Sequence, residues 1–161
     1  METTKNKLSN YQSNFFHRLS HYLDTKLYFF GSVQRADYFP EASDIDVDIF
    51  TENESSTITK MMNFLNVPRD DFKHFVWKLN VNGELAHGHK IMYKEPQHAM
   101  AVEFSIYNQK LKSAILYEHQ QKSVIPFYAT CSLVFIKYLF YRMNIIPANW
   151  YTQMKRFIFR K

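Results

Sequence analysis

The chain carries a single cysteine, Cys131, which has no partner for an intramolecular disulfide. That excludes a disulfide-stapled scaffold and fits a cytoplasmic setting. Set among apolar residues, Cys131 reads as a buried, inert thiol rather than a nucleophile. Glycine and proline are scarce too, three and five in 161 residues. With 46% apolar and 17% aromatic residues beside them, that scarcity excludes a low-complexity or disordered chain. No apolar run reaches the roughly 20 residues of a membrane span. The nearest candidate, Ile125–Tyr141, contains Pro126 and Lys137 and reads as a buried amphipathic helix, so no membrane partner is expected. Met1 to Leu8 is polar and lacks the apolar stretch of a signal peptide. Acids are missing from the C-terminal quarter: residues 119–161 hold seven bases and none of the 15 acids. Such a segment suits a polyanion, either nucleic acid or the phosphates of a nucleotide, but also a plain solvated basic face.

What is present is a run of well-patterned elements on one domain's length of chain. Leu8, Tyr11, Phe15, Leu19 and Tyr22 recur at helical spacing, which predicts a helix over residues 7–24. Leu27–Phe30 reads as a short strand closed by Gly31-Ser32. Residues 33–43 read as a loop and Asp44–Phe50, which alternates strictly, as a strand. A helix over Ser55–Leu65 stops ahead of Pro68. Phe72–Val81 and Leu85–Tyr93 flank Asn82-Gly83, a strong hairpin signal. Ala99–Tyr107 is a further strand, and helices follow at about 109–121, 126–143 and 148–159. The expected class is α+β, a mixed sheet of about five strands with helices packed on one side. Residues 1–121 would form the core and 122–161 a C-terminal helical extension of the same compact unit. The aromatics Phe127, Tyr128, Phe135, Tyr138 and Tyr141 read as core.

The chemistry concentrates in Asp44-Ile45-Asp46-Val47-Asp48. Side chains alternate along a strand, so the three carboxylates share one face, with same-face Cα atoms roughly 6.6–6.8 Å apart. Neighbouring carboxylates at that spacing can converge on one hard cation, and without one they repel and raise a pKa. Strands avoid Asp, so the cluster is costly unless it serves a purpose; a solvated polar edge is the bland alternative. An EF-hand loop starting at Asp44 fails, because its sixth and twelfth positions hold Ile49 and Ser55 rather than Gly and Glu. A glycosyltransferase Asp-x-Asp site would leave Gly31-Ser32 unexplained. His87 and His89 would share a face, but no third zinc ligand lies near in sequence, and exposed polar residues are the simpler reading. His17, His21 and His119 read as surface residues of helices.

Phe29-Phe30-Gly31-Ser32, eleven residues, then Asp44-Ile45-Asp46 resembles the signature of the polymerase-beta-like nucleotidyltransferase superfamily, in a small, minimal form. The resemblance covers residues 26–50 directly. It implies a third carboxylate on a nearby strand, for which Glu103 in Val102-Glu103-Phe104 is the candidate ahead of Asp48; Glu departs from the commoner Asp. It further implies that Asp44, Asp46 and Glu103 are both catalytic and metal-holding, with two Mg²⁺ or Mn²⁺ ions, and that an NTP donates a nucleoside monophosphate with release of pyrophosphate. Gly31, Ser32 and Arg35 would serve the nucleotide, and Lys137 would reach its phosphates. The acceptor is expected at His89, Lys90, Lys155 and Arg156, together with Arg160 and Lys161, and is a nucleic acid or a partner protein. Alternatives are an antitoxin-type enzyme that nucleotidylylates a protein, and an inactive nucleic-acid-binding module on the same fold.

Overall fold

The computed structural model describes residues 3–40 and 42–159. Its frame is one five-stranded sheet in the order β1-β2-β5-β4-β3, with β1 at Leu27–Phe30, β2 at Ile45–Thr51, β3 at Lys73–Lys78, β4 at Leu85–Glu95 and β5 at Met100–Asn108. The β2–β5 pair is parallel and the others are antiparallel, so the sheet is mixed. The helices are α1 (Asn10–Leu23), α2 (Glu54–Leu65), α3 (Lys112–Ser123), α4 (Phe127–Tyr141) and α5 (Ala148–Phe159). The class is α+β, as the pattern predicts.

Local chemistry sets the boundaries. Helix α1 starts later than its apolar spacing implies because Ser9 caps it: the Ser9 hydroxyl accepts from the Gln12 N–H, and the Gln12 side chain accepts from the Ser9 N–H. Asp24 ends it in the left-handed conformation at φ 51°. Asn53 caps α2 by accepting from the Ser56 N–H. Asn82-Gly83 does lie in the β3–β4 connection, but the register pairs Lys78 with Leu85, so the loop is longer than a two-residue turn. Its Gly83 stands at φ 73° and donates to the Leu79 carbonyl.

The two faces of the sheet bury different things. On one, Leu27, Phe29, Val47, Ile49, Val102, Phe104 and Ile106 pack under Phe16 and Leu19 of α1 and Ile58 and Met61 of α2. Each such side chain contributes roughly 1.5–3 kcal/mol of apolar burial. The other face is covered only at one end, where Tyr28, Phe50 and Tyr107 meet Ile115 of α3. The helices therefore do not all lie on one side: α3 closes part of the face that carries the acids and leaves the rest as a cleft.

Helices α4 and α5 make a separate small core of Leu133, Ile136 and Tyr151, with Phe140 stacked on Tyr151 at 4.4 Å. Here the structure corrects the sequence reading. Phe127, Tyr128, Phe135 and Tyr138 are exposed, and the buried stripe of α4 is Ala129, Leu133, Ile136 and Lys137. Cys131 is exposed as well. The helix is apolar around most of its circumference, so composition could not tell which stripe faces inward. Among the described residues, no single helix is long and apolar enough to cross a membrane.

Candidate active site

The parallel β2–β5 pairing decides the site. It sets Asp46 directly beside Glu103 and Asp48 beside Ser105, at the roughly 4.8 Å separation of neighbouring strands. Alternation turns all four toward the open cleft, with Asp44 at the mouth just ahead of β2. Residues of β1, β2, β5, α3, α4 and α5 line this cleft of about 1400 Å³, among them Gly31, Ser32, Arg35, Asp44, Asp46, Glu103 and Lys155. The predicted core of the site is thus assembled in one place.

Gly31 is required twice over. It begins a short 3₁₀ turn, Gly31–Gln34, at φ 69°, where a side chain is strained. A Cβ at this position would also overlap the Asp46 carboxylate, which lies against the bare Cα. The glycine is therefore the cradle in which Asp46 rests. Ser32 is buried, its hydroxyl 3.5 Å from the Asp44 carbonyl oxygen, which ties the turn to the acidic strand.

Electrostatics mark Asp46 as the stressed group. Burial first, then the Glu103 charge, push its carboxyl up to about 7, with Asp44 adding to the rise and Lys155 and Arg35 opposing it. Lys90 stands 3.8 Å from Glu103 Oε1. Among the described residues no group of three His, Cys, Asp or Glu side chains is arranged to hold a metal ion by itself. Two carboxylates in register with a third close by, crowded enough to keep one protonated near neutrality, fit a divalent ion that completes its shell with water and phosphate oxygens.

Arg35 and Lys137 border the cleft but are both engaged by Asp37, and other residues expected at the site stand away from it. Lys137 is buried, its ammonium 2.7 Å from the Asp37 carbonyl oxygen and 3.0 Å from Asp37 Oδ2. Arg35 grips the same Asp37 with two hydrogen bonds, at 2.8 and 3.1 Å. Burial pushes the Asp37 carboxyl up, but Arg35 and Lys137 outweigh it and hold it below its ordinary value. Burial lowers the Lys137 pKa against the pull of Asp37. Lys137 is therefore a pin that fastens α4 to the loop after Gly31, committed to Asp37 rather than free for phosphate. His89 points to the opposite sheet face, with Nδ1 3.2 Å from Glu54, and His87-Gly88-His89-Lys90 lies within β4, as the strand pattern predicts. Arg156 is exposed outside the cleft. Arg160 and Lys161 lie outside the described residues.

One functional-looking group escapes sequence reasoning. His119 is no surface residue: its ring stacks on Phe30 at 4.0 Å, and Nε2 lies 2.8 Å from Asp48 Oδ2, an ion-pair distance without hydrogen-bond alignment. Burial raises the Asp48 carboxyl pKa while His119 works against it. Asp48 is thereby spent on holding α3, which favours Glu103 as the third member of the acidic set. Only the strictness of the Asp-x-Asp-x-Asp alternation hinted that Asp48 needs a cationic partner.

Among known proteins, solved structures similar to this chain include a cytoplasmic RNA terminal U-transferase (14% identity, TM-score 0.45, 88% of this chain against 44% of that one). Others are GLD-2 in its complex with RNP-8 (13%, 0.44, 93% against 51%) and the Cid1 poly(U) polymerase bound to MgGTP (13%, 0.44, 84% against 44%). The chain spans about half the length of these structures. No curated protein sequence matches it. The nucleotidyltransferase domain model matches residues 12–125, a span that opens within α1 and carries the glycine turn, both acidic strands and α3. The chain belongs to the nucleotidyltransferase domain family.

Proposed function

We infer that the protein is an active, divalent-metal-dependent enzyme that transfers a nucleoside monophosphate from an NTP to the hydroxyl of a nucleic-acid acceptor. The observation that carries this reading is the adjacency of Asp46 and Glu103 on parallel strands, over a glycine that makes room for one of them.

Asp44, Asp46 and Glu103 would hold Mg²⁺, or Mn²⁺ in its place, which when bound neutralises phosphate charge and favours the ionised form of an attacking hydroxyl. The 3₁₀ turn at Gly31–Gln34, whose Gly31, Ser32 and Gln34 line the cleft beside Asp46, would meet the phosphates with its backbone N–H groups. Lys155 reaches the cleft from α5 near enough to act on the charge of Asp46, so it supplies the cation for the triphosphate that Lys137 does not. In the transfer the acceptor hydroxyl gives its proton to solvent, its oxygen bonds to the α-phosphorus, the bond from that phosphorus to the oxygen bridging to the β-phosphate breaks, and pyrophosphate leaves with the electron pair. The chain's contribution is positioning and charge complementarity.

A thermal scan tests the reading. Mg²⁺ with its preferred NTP should raise the melting temperature, by about 2.7 kcal/mol of added stability at a hundredfold excess over Kd. Mg²⁺ alone should act weakly, because few protein ligands hold it. No shift with any of the four NTPs at millimolar concentration would overturn an active enzyme in favour of an inactive module. Label from the NTP appearing on protein instead of nucleic acid would replace the acceptor.

A further inference from the structure

Beyond Glu103 the cleft face of the sheet runs on across β4 and β3, and its composition there is one-sided. Strand alternation and the observed register put Lys90 and Met92 of β4 on this face with Lys73, Phe75 and Trp77 of β3. No acid stands on this part of the hairpin itself; the nearest is Glu103 on β5, whose Oε1 lies 3.8 Å from Lys90 Nζ and leaves Lys73 unmatched on this face. Lys73 and Lys90 are direct cross-strand partners, an arrangement of like charges that destabilises a sheet unless an anion lies between them. Phe75 and Trp77 are half-buried and line the cleft. Each ring is covered by a lysine ammonium: Lys90 lies 5.6 Å from the Phe75 centroid and Lys122 lies 4.6 Å from that of Trp77. Lys122 is held there by Glu118, 3.1 Å away. The side chains of Lys90 and Lys122 are 45% and 51% exposed, so both arms have room to swing.

We propose that this face of the β3–β4 hairpin is the track for a single-stranded nucleic-acid acceptor, its bases on Phe75 and Trp77 and its phosphates on Lys73 and Lys90. The inference rests on the transferase reading of the adjoining carboxylates. Aromatic platforms two residues apart on a strand, interleaved with cations, are the chemistry that holds single strands without reading sequence. Each base that lands on a ring displaces an ammonium, and the phosphate beside that base receives it. The track ends at Glu103, where the terminal hydroxyl must arrive. A folded protein acceptor has no comparable use for paired lysines between stacking rings. The acceptor thus runs along the sheet and not along the basic C-terminal segment that composition alone favours.

The protein has two tryptophans, and Trp150 is 63% exposed on α5. W150F therefore leaves Trp77 as the only reporter. Titrating W150F with a twelve-residue oligouridylate at low salt should quench Trp77. The logarithm of affinity should fall linearly with the logarithm of salt, and K73Q/K90Q should flatten that slope by about 1.4, roughly 0.7 for each lysine–phosphate pair removed. Binding without quenching, or an unchanged slope in the double variant, overturns the track. So does absence of binding, including the case in which protein receives the label. The Mg²⁺–NTP melting shift is read in the same W150F sample. If it persists while quenching fails, only the track falls; if it vanishes too, the transferase reading falls with it.

Discussion

Replacing Asp46 by Asn should stabilise the metal-free protein, and only above a certain pH. The folded carboxyl titrates at about 7 against an ordinary value of 3.8. Between those values the folded state keeps a proton that the unfolded chain has released. The stability contributed by this group is therefore complete below about pH 4, declines as pH rises toward 7, and is flat beyond. A shift of roughly three units at about 1.4 kcal/mol each gives a ceiling of about 4 kcal/mol. Water reaching the half-buried carboxylate reduces it, and about 2 kcal/mol is a reasonable expectation. Asn has nearly the shape of the protonated acid and cannot ionise, so D46N lacks the decline. Thermal scans from pH 4 to 8 without divalent ions should show equal melting temperatures at the acid end. At pH 8 the variant should lead by several degrees, at roughly 2–4 °C per kcal/mol for a chain of this size. Adding Mg²⁺ and NTP should reverse the order, because only wild type gains. Parallel curves across the whole range, or a less stable D46N at pH 8, would refute the crowded-carboxylate argument.

G31A places a side chain in the left-handed region, at a cost of roughly 1–2 kcal/mol, and pushes on Asp46; a single-turnover assay should show transfer reduced by about a hundredfold, the order expected for a 1 Å misplacement. K137M should cost about 3 kcal/mol in chemical denaturation by stranding part of the Asp37 charge. Its NTP-induced melting shift should stay close to wild type, whereas a phosphate-contacting Lys137 would lose both.

The acidic centre was legible because it is local and periodic. Gly31-Ser32 and Asp44-x-Asp46 lie within one strand–turn–strand unit, and Glu103 announces its face through the apolar residues either side of it. The roles of Lys137 and His119 were hidden because their meaning depends on partners far along the chain. Lys137 meets Asp37 a hundred positions away, and a lone lysine in a helix looks solvated until that acid is found. His119 depends on Phe30 and Asp48, contributed by strands that must first pair. The outward turn of Phe127 and Phe135 was equally unreadable, since α4 offers an apolar residue on nearly every side. The division of the helices between two faces follows from α3 crossing to the acidic side, which periodicity within one helix does not encode.

The parallel pairing of β2 with β5 has a kinetic consequence. The central strand joins its neighbour only after the β3–β4 hairpin and α2, which intervene in sequence, have been looped out. Local elements such as the hairpin form quickly, whereas a parallel pairing of this sequence separation must first overcome the entropy of closing that loop. It must also bring Asp46 and Glu103 together against their mutual repulsion. The step that completes the acidic centre is thus the slow one, and the chain's own charges retard it. Mild acid or a divalent ion, by relieving that repulsion in the transition state as well as in the folded protein, should act as an accelerant of refolding.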